Sequence, residues 1–304
     1  MHKIDIYSML KSICDSCTIL RDVSMKEHTT MKVGGKATFM IIPESIDCIQ
    51  KIITSLGSLN IPFMKIGNGS NLIFPDTGYN GVIVKIGSAL STINIQDNII
   101  VAMAGASLAN VAHQAMEHSL TGMEFASGIP GSIGGAVCMN AGAYDGEMKQ
   151  VVVETLCLNK DGSLITLKDD EHNFSYRNSR IQAEGMTCLQ VKIGLKKGIK
   201  EDIQAKMNEL NYRRREKQPL NYPSAGSIFK RPPGSFAGKL IDDCGLRGSK
   251  IGGAQISDKH CGFIVNTGKA TAEDIISLIE HVQNTVYKSY GVKLELEVKI
   301  VGGN

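Results

Sequence analysis

The chain has 304 residues, of which 42% are hydrophobic and 21% charged, and its formal net charge at pH 7 is +3. This composition is that of a globular protein with room for two domains, and it excludes an intrinsically disordered chain. The small net charge gives no reason to expect a nucleic acid or a membrane as partner. Residues 1–14 lack the pattern of a signal peptide, and no apolar run is long enough to span a bilayer.

Helical and strand-like patterns alternate in the first two thirds of the chain. Apolar spacing predicts a helix over 49–56 that ends at Gly57, and Ser107 is a suitable N-cap for a second helix. Strands are predicted at 63–66, 71–74, 82–86, 99–103, 151–158 and 188–195.

The last third of the chain is predicted to begin with a polar helix over 200–217, which ends before Pro219. Thr271 and Asp274 form a capping-box pattern at the start of another helix, and Gly291 ends it. Residues 292–300 alternate between apolar and polar side chains, which predicts a half-exposed strand. A shift to polar residues at 196–200 predicts the boundary between a domain over 1–199, with its core from about residue 29, and a domain over 200–304.

Eight cysteines are scattered along the chain without a disulfide framework: 14, 17, 48, 138, 157, 188, 244 and 261. Cys14 and Cys17 form a CxxC pair, but no second pair accompanies it, so free thiols are favoured over a zinc site. The histidines do not have metal-ligand spacing either, since His113 and His118 are five residues apart. We therefore predict no metal.

Two glycine-rich segments require an explanation. GNGSN occupies 67–71 between two predicted strands, and SGIPGSIGGAVCMNAGAY occupies 127–144, where Pro130 is expected to start a short helix that runs through Ser132 to Cys138. A backbone without side chains can approach a phosphate closely, and helix N-termini offer N–H groups to anions. Tight turns also use glycine, so the residues alone leave a dinucleotide cradle and ordinary turns equally open. The Rossmann and P-loop spacings are absent.

Six segments occur in a fixed order: GNGSN (67–71), SGIPGSIGGAVCMNAGAY (127–144), YRNSR (176–180), PSAGSIFKRP (223–232), KHCGFIVNTGKATAED (259–274) and LELEVKI (294–300). In this order they resemble the UDP-N-acetylenolpyruvoylglucosamine reductases (the MurB family) of bacterial peptidoglycan synthesis. The resemblance covers the chain from about Thr29 onward. The short stretch between 195 and 222 is similar to the shorter form of the family, which lacks an extra substrate-covering loop.

The resemblance implies an α+β protein, with an FAD-binding domain of the vanillyl-alcohol-oxidase (PCMH) type over 1–199 and a smaller α+β substrate-binding domain over 200–304. It implies noncovalent FAD as cofactor and NADPH as co-substrate. The residues expected to contact FAD are Gly67, Asn68, Gly69, Ser70, Asn71, Ile129, Pro130, Gly131, Ser132, Gly134, Gly135, Asn140, Ala143 and Tyr144. Asp145 departs from the glycine that many relatives have there, which leaves the geometry of this loop open.

The reaction implied by the resemblance reduces UDP-N-acetylglucosamine enolpyruvate to UDP-N-acetylmuramate, with hydride delivered to C3 and a proton to C2. Ser227 matches the proton donor of the family, Arg177 the arginine that polarises the substrate carboxylate, and Glu297 the carboxylate near the C-terminus. From the residues alone, Ser227 is typical of a turn and Glu297 of an exposed strand. Arg180 is the alternative to Arg177.

Substrate-binding residues are less clearly marked. Lys230 is expected to be a cation near Ser227, and Arg215, at the end of the polar helix, is a candidate for the substrate diphosphate. The basic run 213–217 otherwise fits a solvated helix end, and nucleic acid would require a larger basic face with stacking aromatic residues. His260 lies in one of the shared segments and is a minor site candidate.

The expected protein is a cytoplasmic monomer that acts in cell-wall precursor synthesis, and thereby in cell shape and division. Two other functions fit the sequence less well. A generic flavin oxidase with the same FAD fold would not explain PSAGSIFK. A nucleotide-binding regulator that has lost its chemistry would not need Ser227, Arg177 and Glu297 together.

Overall fold

The computed structural model describes residues 5–14 and 16–302. Over these residues the α-helices are α1 Ile6–Ile13, α2 Ile46–Ser58, α3 Leu108–Glu117, α4 Ile133–Cys138, α5 Arg180–Ala183, α6 Lys200–Lys217, α7 Ala237–Asp243 and α8 Ala272–Tyr290. The strands are β1 Thr18–Ser24, β2 Lys36–Ile42, β3 Phe63–Ile66, β4 Leu72–Ile73, β5 Tyr79–Lys85, β6 Ile93–Gln96, β7 Ile99–Met103, β8 Leu120–Thr121, β9 Gly142–Ala143, β10 Gly146–Glu147, β11 Val152–Leu158, β12 Leu164–Lys168, β13 Thr187–Gly194, β14 Lys196–Lys197, β15 Lys250–Ile251, β16 Ala254–Ile256, β17 Ile264–Asn266 and β18 Lys299–Ile300.

The chain forms two compact units. The first comprises the described residues up to 21 together with 39–68 and 81–212, and the second comprises 22–38, 69–80 and 213–302. Both units are therefore built from discontinuous segments, whereas the boundary expected from the sequence divides the chain once, between residues 199 and 200. The physical reason is that Met31, Val33 and Ile73 are buried in the same apolar core as residues of the C-terminal segment, so two early segments belong to the second unit.

The first unit contains a five-stranded antiparallel sheet with the order β12-β11-β13-β7-β6. Its inward-facing side chains join those of α3 and α4 in one core that includes Ile100, Val111, Ile133 and Val191. Alternating burial along β13 reflects the period of two of a strand with one face covered.

A second sheet, with the order β1-β2-β5-β3, contains the parallel pair β3 and β5, in which Phe63 to Ile66 lie opposite Val82 to Lys85. A parallel pair leaves its strand ends at one edge, so the loop that begins at Gly67 starts beside the end of β5. Helix α2 begins where the Ser45 side chain accepts a hydrogen bond from the N–H of Cys48, and it buries Ile52 and Leu56 against this part of the unit.

The second unit is built on the antiparallel sheet β15-β16-β17 and on α8. The capping box of Thr271 and Asp274 and the left-handed Gly291 (φ 68°) bound α8 as the sequence predicts. Its buried stripe, which includes Ile275, Ile279 and Val282, packs into the core of this unit.

Several predicted elements are confirmed closely: the strands at 63–66 and 99–103 and the helix at 200–217 have the predicted bounds. The short helix α4 begins at Ile133, with Ser132 as its N-cap, and not at Pro130. The prediction that Cys14 and Cys17 are free thiols is wrong, because these two residues form a disulfide. The other six cysteines are free thiols.

The predicted strand over 292–300 is also wrong as a single element. Only Lys299–Ile300 forms a strand, which pairs in parallel with β4, while Leu296 forms an isolated bridge with Phe229. The segment changes its pairing partner midway, which interrupts the regular ladder. The alternation itself is real, since Leu294 and Val298 are buried whereas Lys293 and Lys299 are exposed. Within the described residues, no helix combines the length and apolar character needed to cross a membrane.

Candidate active site

The two glycine-rich segments meet in the first unit. A Cβ atom at Gly67 would lie 2.3 Å from the side-chain oxygen of Ser132, so any other residue at this position would displace the Ser132 side chain. Ser132 is buried, and its Oγ accepts a hydrogen bond of 3.3 Å from the N–H of Gly135. The contact explains why the first loop starts with glycine and links the two loops that the sequence marked separately.

Gly134 and Gly135 are adjacent in α4 but have different surroundings. A Cβ at buried Gly134 would lie 2.7 Å from Cβ of Ala104, and the N–H of Gly134 donates a hydrogen bond of 2.9 Å to the carbonyl of Ala104. Gly135 is exposed, and a Cβ there would meet Ser132 Oγ at an ordinary 3.4 Å. Gly134 thus has a packing role within the protein, and its predicted contact with a cofactor stays a prediction.

The loop after α4 contains three residues in the left-handed region: Asn140 (φ 46°), Tyr144 (φ 52°) and Asp145 (φ 66°). Aspartate and asparagine tolerate this conformation better than most residues. Asp145 therefore keeps a backbone conformation that suits glycine, and its departure from the family pattern is accommodated.

Asn140 holds this loop from inside. It is fully buried, and its side-chain amide donates hydrogen bonds to the Glu147 carboxylate (3.0 Å) and to the Ser175 carbonyl (3.1 Å), while its oxygen accepts one from the N–H of Lys149 (2.9 Å). These bonds join the loop to the turn that carries Arg177, so Asn140 positions both.

Arg177 lies in a tight turn in which Ser175 and Asn178 exchange two backbone hydrogen bonds of 3.1 Å. Its own φ is 56°, and its guanidinium donates a hydrogen bond of 3.2 Å to the carbonyl of Gly142. Arg180 instead bonds Glu184 at 2.8 Å along α5. The two arginines thus have different surroundings: Arg177 contacts the loop that follows α4, whereas Arg180 pairs along α5.

Ser227 and Glu297 belong to segments that pair in the second unit. The N–H of Glu297 donates a hydrogen bond of 2.8 Å to the carbonyl of Ile228, next to Ser227. The side-chain amide of Asn71 donates one of 3.0 Å to the carbonyl of Glu297. Three of the shared segments, which contain Asn71, Ser227 and Glu297, are thus neighbours in space, and Ser227 and Glu297 are both partly exposed.

Lys230 and Glu295 form the next pair along these segments. The N–H of Lys230 donates to the carbonyl of Glu295 at 2.8 Å, and its ammonium lies 3.1 Å from the Glu295 carboxylate. The Glu295 side chain is 74% exposed, whereas Glu297 is partly buried. The structure therefore distinguishes the two glutamates and gives the expected cation Lys230 a carboxylate partner.

A cavity of about 470 Å³ lies within the second unit, and Arg215 is one of its lining residues, with Tyr222, Asp258 and Lys259. The Lys259 ammonium donates to the backbone carbonyl of Arg215. Lys259 and Tyr222 were not singled out from the sequence, although both lie in or beside shared segments. The two cations outnumber the one carboxylate, Asp258, in the lining of the cavity, which suits an anionic ligand group.

His260, next to this cavity, has a structural environment. Its Nδ1 accepts a hydrogen bond of 3.1 Å from the N–H of Gly262, and its ring packs edge-on against Phe263. Burial lowers the pKa of His260, so the ring is neutral at pH 7. We assign it no chemical role.

Two family models match the chain. Residues 218–301 match the C-terminal domain of UDP-N-acetylenolpyruvoylglucosamine reductase, and residues 37–168 match an FAD binding domain. The reductase of Caldanaerobacter subterraneus is 49% identical over 293 residues (96% of this chain, 97% of the relative), and that of Agathobacter rectalis is 50% identical over 296 residues (93% and 94%). The chain belongs to the UDP-N-acetylenolpyruvoylglucosamine reductase family.

The fold agrees with this family. The crystal structure of UDP-N-acetylenolpyruvylglucosamine reductase from Thermus caldophilus superposes with a TM-score of 0.81 at 32% identity, and the match covers 93% of this chain and 98% of that one. The α+β class with an FAD-binding domain is confirmed, and the chain is an FAD-containing oxidoreductase.

The residues of the first unit fit FAD. Gly128 and Gly131 are partly exposed and Gly135 fully exposed, so bare backbone is accessible along the second glycine segment. Lys85 belongs to the predicted strand 82–86 and lies opposite Ile66 in the parallel pair. Ile66 directly precedes Gly67 in the chain. Burial lowers the pKa of Lys85, and a nearby anion such as a diphosphate would favour its charged form. The sequence signal that could have marked Lys85 is its charge within the otherwise apolar segment VIVKI (82–86).

Proposed function

We propose that this chain is the NADPH-dependent reductase that converts UDP-N-acetylglucosamine enolpyruvate to UDP-N-acetylmuramate in peptidoglycan precursor synthesis. The observation that carries the proposal is the pairing of the Ser227–Ile228 segment with Glu297, 2.8 Å from backbone nitrogen to oxygen. A proton donor and a carboxylate from distant parts of the sequence are thereby held on neighbouring segments of the backbone. The names of the relatives support the same reaction.

Reduction of the enolpyruvyl group needs a hydride at C3 and a proton at C2. FAD, when bound, supplies the hydride and is itself reduced by NADPH. Ser227 Oγ donates the proton to C2. Because a serine hydroxyl is a weak acid, the negative charge left on Oγ requires stabilisation from neighbouring donors.

Arg177 acts on the carboxylate of the enolpyruvyl group. Negative charge that develops at C2 is shared with this carboxylate, and a guanidinium can bind both of its oxygens at once. The bond to the Gly142 carbonyl holds one nitrogen of the Arg177 guanidinium, and the left-handed backbone at Arg177 sets where the side chain starts. Glu297 holds the substrate carboxyl in its protonated form, which eases the build-up of charge.

The diphosphate of the substrate is assigned to cations of the second unit. Arg215 and Lys259 line one cavity, and Lys230 is paired with a largely exposed glutamate. An exposed ion pair contributes little to stability, so Lys230 can exchange Glu295 for a phosphate at small cost.

We further propose that FAD is bound by the region 1–199 through the fourteen residues named from the family resemblance, and the substrate by the domain 200–304. The matched ranges 37–168 and 218–301 support this division. UDP-sugars and NADPH are cytoplasmic metabolites, so we assign the enzyme to the cytoplasm, where it acts as a monomer without nucleic-acid or membrane partners.

The test is anaerobic flavin spectroscopy on the purified protein. Acid precipitation should release yellow FAD into the supernatant, and NADPH should bleach the bound flavin. Addition of UDP-N-acetylglucosamine enolpyruvate should restore the colour with one equivalent of substrate, whereas UDP-N-acetylglucosamine should not. A flavin reoxidised by oxygen but not by the enolpyruvyl sugar would contradict the proposal and support an oxidase.

A further inference from the structure

Three cysteines from two separate segments of the first unit meet at one point. Cys14 follows α1, Cys17 precedes β1, and Cys48 lies in the first turn of α2. Their Sγ atoms all lie within 4.8 Å of one another, and those of Cys14 and Cys48 are 2.9 Å apart. Cys14 and Cys17 are joined in a disulfide. The CxxC pair thus has a third sulfur that its sequence spacing does not reveal.

The packing of α1 against α2 fixes this arrangement. Leu10 of α1 and Ile52 and Leu56 of α2 are fully buried in one apolar cluster that also contains Cys14 and Cys17. The N-cap Ser45 holds the N–H of Cys48 at 3.1 Å and so orients the first turn of α2 toward the pair. The convergence of the three sulfurs follows from the core, and moving any of them would require repacking it.

Burial decides what kind of partner these sulfurs can have. Only 4% of Cys14 and 5% of Cys17 is exposed. Exchange with a protein disulfide or dithiol requires access to the attacked sulfur, and a macromolecule cannot reach these two. A small cation can reach them, and thiolates are the ligands that zinc and other soft cations prefer.

We propose that Cys14, Cys17 and Cys48, in their reduced form, bind one thiophilic divalent cation, with Zn²⁺ as the reference ion. A Zn–S distance of about 2.3 Å in a tetrahedral site separates two sulfurs by about 3.8 Å, which is within the 4.8 Å that bounds the present Sγ separations. Ser16 Oγ, 3.6 Å from Cys14 Sγ, or a solvent molecule completes the coordination.

Binding of the cation requires prior reduction of the Cys14–Cys17 disulfide. A phosphine reductant gives two electrons to the Cys14–Cys17 disulfide, which takes up two protons and becomes two thiols, while the phosphine becomes its oxide with an oxygen from water. The three thiols then lose three protons as their sulfurs bind the cation, and no further electron transfer takes place. Oxidation back to the disulfide removes two of the ligands, so the disulfide and the metal site exclude each other.

The experiment uses the full-length flavoprotein, reduced with a phosphine, incubated with Zn²⁺ and passed over a desalting column with a weak chelator. Elemental analysis should find about one Zn²⁺ per chain in the parent. Cys48→Ser should weaken zinc binding by at least about 100-fold, because the loss of a direct ligand exceeds the loss of an outer partner. Cys244→Ser, a half-buried thiol of the second unit, should retain the parent's zinc.

A second measurement does not depend on variants that fold. In the reduced parent, Zn²⁺ should protect Cys48, the partly exposed member of the three, from alkylation by iodoacetamide, as counted for its peptide by mass spectrometry, and leave the labelling of Cys244 unchanged. The proposal is overturned if the reduced parent retains no zinc, if Cys48→Ser retains as much as the parent, or if zinc leaves the labelling of Cys48 unchanged.

Discussion

The side-chain amide of Asn71 donates a hydrogen bond of 3.0 Å to the main-chain carbonyl of Glu297, across 226 positions of sequence. The backbone carbonyl of Asn71 in turn accepts a bond of 3.0 Å from the N–H of Lys299. One residue of the first glycine loop thus fixes the backbone that directly follows the side chain we assign to catalysis.

We expect Asn71→Ala to lower the free energy of unfolding by about 1 kcal/mol, since one partly buried hydrogen bond is lost. It should also slow reoxidation of the flavin by the enolpyruvyl sugar, because the position of Glu297 is no longer fixed. Asn68→Ala, at an exposed position of the same loop, is the matched control for stability. Equal unfolding free energies for the two variants in urea titrations would show that the Asn71 contact is unimportant.

Ser227→Ala should separate the two half-reactions. Reduction of the flavin by NADPH needs no proton at C2 and should keep its parent rate. Reoxidation by the enolpyruvyl sugar should slow by about 100- to 10,000-fold, the usual effect of removing a positioned acid. Ser227→Cys should retain more activity than alanine, because a thiol can still give a proton. Stopped-flow absorbance measures each half alone; equal losses in both would make Ser227 a structural residue.

Arg177→Lys and Arg180→Lys form a matched pair on neighbouring elements. Lysine keeps the charge but cannot bind a carboxylate through two parallel hydrogen bonds, so Arg177→Lys should slow flavin reoxidation at least about 10-fold. Arg180→Lys should have little effect, because Arg180 bonds Glu184 on the helix surface and exposed pairs contribute little. The reverse order of effects in single-turnover kinetics would identify Arg180 as the functional arginine.

Gly134→Ala and Gly135→Ala should shift the melting temperature in opposite directions. The new methyl group at 134 would lie 2.7 Å from Ala104 Cβ, and overpacking of this kind costs about 1–3 kcal/mol. At exposed Gly135 the methyl group has room, and alanine favours the helix by up to about 1 kcal/mol. Melting curves with and without added FAD would separate loss of fold from loss of cofactor. Similar melting temperatures for both variants would mean that α4 moves away from Ala104.

The stability that Asp274 contributes should depend on pH. Backbone N–H groups of Thr271 and Gly253, each 3.0 Å from its carboxylate, hold the pKa of Asp274 below its ordinary value. The unfolded chain therefore binds this proton more readily, and the stabilisation is present above the ordinary pKa of about 4 and lost as pH falls through the lower, folded value.

Asp274→Asn should accordingly be less stable than the parent at pH 7, and the difference should shrink near pH 3. Urea unfolding of both proteins at the two pH values measures it. Glu280→Gln, at an exposed position of the same helix, should show no such convergence. A constant difference between parent and Asp274→Asn from pH 7 to pH 3 would mean that the charge of Asp274 plays no part.

The sequence by itself determined the features that depend on neighbours in the chain. The capping box at Thr271, the glycine end of α8 and the bounds of α6 follow from local hydrogen bonding and apolar spacing, which the residues display directly. The six shared segments also identified the family, and with it the FAD-binding fold and the candidates Ser227, Arg177 and Glu297, without any knowledge of distances.

Only the tertiary structure decided the features that join distant residues. The segment 292–300 has the alternation of one strand, but it divides its hydrogen bonds between Ile228–Lys230 and Asn71–Ile73, and no local pattern encodes such a change of partner. The contact of Arg177 with Gly142, the packing of Gly134 on Ala104 and the approach of Cys48 to Cys14 have the same cause. Each depends on which surfaces the core brings together, since a side chain's spacing in sequence does not fix its neighbours in space.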